Sequence, residues 1–295
     1  MQSPSDLTEV PRLNNKHPRQ LYLLFFTEMW ERFSFYGMKA LLLAYMVTQL
    51  KFDEPKGYAI LGSYAELVYT MPMFGGMMAD RFLGYRRAIM FGGILMSIGH
   101  FILAIPQGWS FFYGMAFIIC GNGFFKPNIS SLVGTLYSNN DPRKDSGFSL
   151  FYMGINIGAA LGGVICGYVG QMINWHYGFG LAGIFMIIGL VVFYLGQKTL
   201  KEKGLPPDMD LLKKPLLHFV RTEWVIYGGT LLLVPVIVSL FHSYHVMDYI
   251  MFGLGAASII YVLFIAFRME NVARNKLFAA LIMIIFSTAF WAFYV

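Results

Sequence analysis

The stretch Leu21–Met38, LYLLFFTEMWERFSFYGM, places two glutamates and an arginine inside an apolar run long enough to begin a membrane helix. An ionisable group at the centre of a bilayer costs roughly 2.5–3.5 kcal/mol on insertion scales, so it faces a cavity or a partner. At about 100° per residue, taking Glu28 as the origin, Arg32 falls near +40°, Lys39 near +20°, Phe35 near −20°, Glu31 near −60° and Tyr36 near +80°. The charges therefore share one face. Glu28 and Arg32 form an i,i+4 pair with Glu31 on the neighbouring ridge. A packing ion pair would account for two charges and leave the second glutamate and Lys39 unexplained. The other reading is a polar cavity wall with a titratable carboxylate. Desolvation favours the protonated form and a nearby arginine the ionised one, so an arginine that switches partners toggles a glutamate between holding and releasing a proton.

The rest of the chain fits a membrane setting. Of 295 residues, 57% are hydrophobic and only 13% charged, with 31 glycines and 19 methionines. Soluble proteins average roughly 25% charged residues. Nine runs have the length and character of spans: 20–49, 57–80, 87–106, 109–137, 146–172, 178–197, 223–242, 248–268 and 276–295. The expected fold class is an all-α polytopic membrane protein. Residues 1–19 form a polar leading segment with no cleavable signal pattern. Residues 20–197 form a six-helix bundle, and 198–222, containing KEKGLPPDMDLLKK, a linker. Two further helices occupy 223–268, and 276–295 is a last span.

The net charge of +6 does not point to nucleic acid. Basic residues crowd 12–19, 81–87, 143–144, 198–221 and 268–276, whereas the alternate connections carry only Lys51 and Lys56. The positive-inside rule then puts the N-terminus in the cytoplasm, with these charges facing anionic lipid. Arg32, Lys39 and Lys126 are the basic residues inside spans, and Glu28, Glu31 and Glu66 the acidic ones. Lys126, beside Pro127 in GNGFFKPNIS, needs an anion: a first-helix glutamate or a substrate. Cys120 and Cys166 lie in apolar runs and are expected as free packing residues.

Two further patterns are local. FYMGINIGAALGG spaces Gly154, Gly158 and Gly162 four apart, a face that lets another helix approach closely. Asn156 in the same span either bonds a neighbouring helix or contacts a substrate. GGMMADRFLGYRR (75–87) joins two spans, and its Asp80, Arg81, Arg86 and Arg87 suit a polar latch that holds one conformation and breaks in another. An enzyme is not expected. No nucleophile motif appears, His100 reads as a packed neutral histidine, and His242, His245 and Asp248 are too few for a sound metal site. No metal or cofactor is implied.

Taken together, these residues resemble the proton-dependent oligopeptide transporter (POT/PTR) family of the major facilitator superfamily. The 75–87 loop resembles the superfamily's loop signature. The first span resembles E-x-x-E-R-F-x-Y-Y-G at Glu28, Glu31, Arg32, Phe33, Tyr36 and Gly37, and the FYxxINxGxxxG segment matches at Phe151, Tyr152, Ile155, Asn156, Gly158 and Gly162. Lys126 matches the family's fourth-helix lysine. The resemblance implies a major facilitator fold: an N-terminal six-helix half, two extra helices and a seventh core helix, without the C-terminal half. It implies symport of di- and tripeptides with protons by alternating access in the cell membrane, with the missing half of the same transporter as partner. Glu28, Glu31, Arg32 and Lys126 would couple protons. Arg32, Lys39 and Lys126 would face the peptide carboxylate, and Tyr36, Tyr69 and Asn156 would contact the peptide. This sequence departs from the pattern at Lys39, often Arg; Phe35, often Tyr; Glu66, commonly small or neutral; and Val295, where many members carry glutamate. The remaining alternatives are a related carrier for nitrate or a peptide-like compound, and a fragment that binds without transporting.

Overall fold

The computed structural model describes residues 16–138, 140–217 and 219–294. Arg12 and Val295 lie outside them, as do the side chains of His245 and Asp248. Helices α1 (Arg19–Thr48), α2 (Glu54–Met78), α3 (Gly84–Leu103), α4 (Gly108–Gly134), α5 (Lys144–Tyr168) and α6 (Trp175–Gly196) follow one another through short connections. A brief α7 (Met209–Lys213) and a two-stranded hairpin, β1 (Pro215–Leu217) with β2 (Val220–Arg221), precede α8 (Thr222–His242). These elements form one compact unit; α9 (Tyr244–Ala266) and α10 (Asn271–Tyr294) form a second. Each long helix coincides with one of the expected apolar runs, to within a turn or so at the ends.

Four stretches among the described residues meet a strict length-and-hydropathy requirement for crossing a membrane: 54–103, which holds α2 and α3, then 144–173, 175–200 and 222–242. Helix α1 fails that requirement because its charges are too closely spaced, although Leu21, Leu24, Phe33, Met38 and Leu41 are fully buried along it. The α2–α3 and α5–α6 joints share one device. Each outgoing helix widens into a π turn, Ala79–Leu83 and Val169–Ile173, before the chain reverses. Such turns re-aim the residues they carry.

Helix α1 packs along α5 and α6, while α3 packs on α4 and α6, and α2 and α8 on α4. The α1–α5 contact is so close that a Cβ on Gly158 would land on the Met29 carbonyl, and one on Gly162 on the Phe33 carbonyl. One on Gly154 would meet the Phe25 ring. Residues 25, 29 and 33 thus form a ridge four apart, facing 154, 158 and 162, also four apart. This is ridge-into-groove packing with glycine as the groove. On the α6 side, Ser34 ties three helices together. Its hydroxyl donates to the Ala182 carbonyl at 2.8 Å. Having one proton, it must accept from His100 Nε2 at 2.7 Å, so His100 carries its proton on Nε2.

The linker is more ordered than its composition suggests. Asp208 caps α7 by accepting from the Asp210 and Leu211 amides at 2.8 and 2.9 Å. Leu200 and Leu212 are fully buried, and Leu212 joins a core with Ala79, Leu83, Ala88, Phe124 and Ile226. Two leucines are enough to anchor an otherwise polar segment to the bundle.

Candidate functional site

Helix α1 approaches α2 and α4 only sparsely, and a cavity of about 320 Å³ opens between the three. Phe35, Tyr36 and Lys39 of α1, Lys126 of α4, and Tyr58, Leu61, Gly62, Tyr64, Ala65, Val68 and Tyr69 of α2 line it. The wall is aromatic and apolar with two ammonium groups. Lys126 Nζ lies 5.4 Å from the Tyr69 ring centroid, a cation–π distance.

Behind this wall sits the charge cluster. Glu28, Glu31 and Arg32 are each no more than 1% exposed. The Arg32 guanidinium donates to both carboxylate oxygens of Glu31 and lies 3.3 Å from Glu28 Oε1. Its charge also stands 4.9 Å from the Phe35 ring centroid and 5.9 Å from that of Tyr36, both cavity residues. Glu28 Oε2 has no hydrogen-bond partner among the described residues. Two carboxylates thus share one guanidinium in a water-poor site, which leaves one of them under-compensated. Lys126 is within electrostatic range of Arg32, Glu31 and Glu28 but makes no ion pair with them among the described residues.

The structure therefore brings together Glu28, Glu31, Arg32, Tyr36, Lys39, Tyr69 and Lys126. It leaves Asn156 apart: that side chain is exposed on α5, is not part of the cavity wall, and donates to the Tyr152 carbonyl of its own helix at 3.1 Å. Glu66 is half-buried on α2 beside the wall rather than in it. The α2 residues Tyr58, Leu61, Gly62, Tyr64, Ala65 and Val68 were not singled out from sequence. Their helical spacing was legible, but nothing in it told which way that face looks.

The four loop residues lie at the opposite end of α2. Asp80 and Arg81 are exposed in the π turn, and Asp80 is hydrogen-bonded by Tyr85. Arg86 donates to the Lys203 carbonyl at 2.6 Å and to that of Lys201, and its amide donates to Gly204 O at 3.0 Å. Arg87 pairs with Glu223 of α8 at 2.6 Å. Gly84 has φ +70°, and a Cβ there would strike the Leu205–Pro206 backbone. Arg86 and Arg87 thus hold the linker and α8, and among the described residues neither pairs with Asp80.

The helical bundle, with a buried charge cluster behind an open, cation-bearing cavity, has the major facilitator type of fold of the solved transporters it superposes on. Residues 86–295 match PTR2, the POT family, and the chain belongs to that family. It is 38% identical to a di-/tripeptide transporter of Lactococcus lactis subsp. cremoris, over 93% of this chain and 58% of that protein. It is 49% identical to the uncharacterized transporter YclF of Bacillus subtilis (strain 168), over 64% of this chain and 39% of that one. A POT family transporter solved in complex with a thioalcohol-conjugated peptide superposes with a TM-score of 0.78 at 34% identity, covering 93% of this chain and 59% of that one. Another, in complex with 5-aminolevulinic acid, gives 0.75 at 34% identity, covering 89% and 56%. The chain spans less than two thirds of the length of these relatives.

Proposed function

We propose that this chain forms the N-terminal part of a proton-coupled symporter for di- and tripeptides. It works by alternating access in the cytoplasmic membrane, with the N-terminus on the cytoplasmic side and the remaining length seen in its relatives closing the cavity. The observation that carries this reading is the placement of the buried Glu28–Arg32–Glu31 cluster directly behind a cavity that presents Lys39 and Lys126. The named substrates of the lactococcal relative and the ligands of the solved relatives support it.

In this reading Lys39 and Lys126 hold the peptide carboxylate, with Tyr36 and Tyr69 beside it and Asn156 added when α5 meets the rest of the transporter. The carboxylate draws the Arg32 guanidinium toward the cavity. Glu28 and Glu31 then lose their counter-charge, and a buried carboxylate without one takes up a proton. The proton and the peptide are thereby bound together, which is the coupling a symporter needs. Asp80, Arg81, Arg86 and Arg87 serve as the conformational latch. Of these, Arg86 and Arg87 grip the linker and Glu223 in this state and release them in another, while Asp80 is held by Tyr85.

The test is dipeptide uptake into proteoliposomes by the native gene product, with and without an inward proton gradient. Gradient-driven accumulation is the expected result. Exchange without accumulation would leave a peptide carrier without coupling, and no peptide movement by folded protein would overturn the substrate class.

A further inference from the structure

Tyr64 is 1% exposed on α2, and its hydroxyl finds no hydrogen-bond partner among the described residues. Buried phenols are rarely left this way, because the unmade bond costs stability. The ring is held firmly: it stacks on Phe35 at 6.4 Å with the planes 24° apart, and Phe35 in turn faces Arg32 at 4.9 Å. Tyr64 also lines the cavity, and Arg32 and Glu31 are the charges that act on its hydroxyl. It therefore stands at the partition between the substrate space and the ion cluster, with a donor to spare.

We propose that Tyr64 is a positioning residue for the proton-coupling cluster: when Arg32 turns toward an anion in the cavity, the Tyr64 hydroxyl donates to the Glu31 carboxylate that Arg32 leaves. The inference rests on the transport reading above. Arg32 and Glu31 on α1 are the charges that act on this hydroxyl, and Glu28 shares the cluster with Arg32. Tyr36 and Lys39 of α1, Lys126 of α4, and Tyr58 and Tyr69 of its own helix share the cavity wall with the Tyr64 ring. Of these, the carboxylates accept and the cations cannot. Glu31 is the acceptor assigned here because it loses two guanidinium bonds at once when Arg32 moves. No proton crosses in this step. The phenol keeps its own, and the bond favours the ionised form of Glu31 once the seated anion has drawn Arg32 away.

The experiment is the pH profile of gradient-driven dipeptide uptake by the native gene product and by Tyr64→Phe, which keeps the ring and removes one oxygen. Loss of a donor disfavours the charged carboxylate, so the midpoint of the profile moves to higher pH by roughly half to one unit, the worth of one hydrogen bond. Read in peptide exchange without a gradient, which does not require the coupling carboxylate, the same shift disappears in a Glu31→Gln background, as a pairwise coupling requires. 3-Fluorotyrosine at position 64, a stronger donor of nearly the same size, moves the midpoint the other way and keeps the test alive if the phenylalanine variant does not fold. A uniform fall in uptake with an unmoved midpoint assigns Tyr64 to packing and overturns the proposal. So does a shift that persists without Glu31. If the unaltered protein accumulates no peptide under a gradient, the transport reading fails and this proposal falls with it. If it accumulates and the variants match its midpoint, this proposal alone falls.

Discussion

The two sides of α1 make opposite use of the same helix. Toward α5 it presents Phe25, Met29 and Phe33 to a row of glycines, backbone against backbone, with no charge and no gap. Toward α2 and α4 it presents Glu28, Glu31, Arg32, Tyr36 and Lys39, and the neighbouring helices stand back far enough to leave a cavity. The contrast teaches why charge can be tolerated here. The glycine seam fixes the position of α1 by van der Waals contact alone. The other side is thus free to carry a charge cluster that is not needed to hold α1 against α5.

The comparison is most easily broken at the seam. Gly158→Leu places a side chain on the Met29 carbonyl, where no rotamer escapes the backbone, and costs more than the roughly 1–3 kcal/mol of ordinary overpacking. Monodisperse folded protein should be lost in detergent thermal-stability measurements. Gly163→Leu, five residues along, points into open space and should leave the melting temperature within a few degrees. Equal behaviour of the two variants would refute the seam.

The charged side should fail differently. Arg32→Ala leaves two buried carboxylates unpaired, which in a dry interior costs about 3–5 kcal/mol unless they take up protons. The variant is therefore expected to fold best at acid pH and to lose gradient-driven uptake. Full uptake by this variant at neutral pH would remove the arginine from the mechanism. A narrower loss is expected from Lys126→Ala, which removes one charge-assisted contact and should weaken dipeptide binding by roughly tenfold to a hundredfold with little change in melting temperature. Unchanged affinity in a calorimetric titration would strip the lysine of its substrate role.

The smallest effect lies away from both sides, in the loop between α4 and α5. Asp141 accepts from the Arg143 side chain at 2.9 and 2.7 Å and from its amide at 2.9 Å, while Arg143 also donates to the Lys16 carbonyl at 2.8 Å. These bonds pull the Asp141 carboxyl down from its usual 3.8 to about 2. Because the folded value lies below the unfolded one, the ionised carboxylate stabilises the fold above its unfolded value. That contribution drains away as pH falls from about 4 toward 2. Asp141→Asn should therefore melt slightly below the parent at neutral pH, and the difference should close in that acid window. A gap that does not narrow on acidification would show that the charge is not what holds the loop.

Much of this was visible in the residues. The charge face of α1, the glycine spacing of α5 and the positions of the apolar runs follow from helical period and hydropathy, which act locally. The linker was less legible. Its polar, proline-containing composition hid an Asp208-capped turn and two buried leucines, because an anchor of two side chains leaves no periodic signal. The charged residues of the 75–87 loop stood out in the sequence, but the partners of Arg86 and Arg87 did not. Arg86 and Arg87 reach backbone carbonyls of the linker and Glu223 of α8, more than a hundred residues away in the chain.

The sequence by itself determined that the chain is a set of apolar helices, that one of them carries a stripe of charge, and that another carries a groove of glycines. Period and composition decide such things residue by residue. The tertiary structure alone decided that α2 supplies most of the cavity wall, that Asn156 stands apart from it, and that the buried Tyr64 hydroxyl has no hydrogen-bond partner among the described residues. Those facts depend on which helices touch and how closely, and that is set by contacts between residues far apart in the chain.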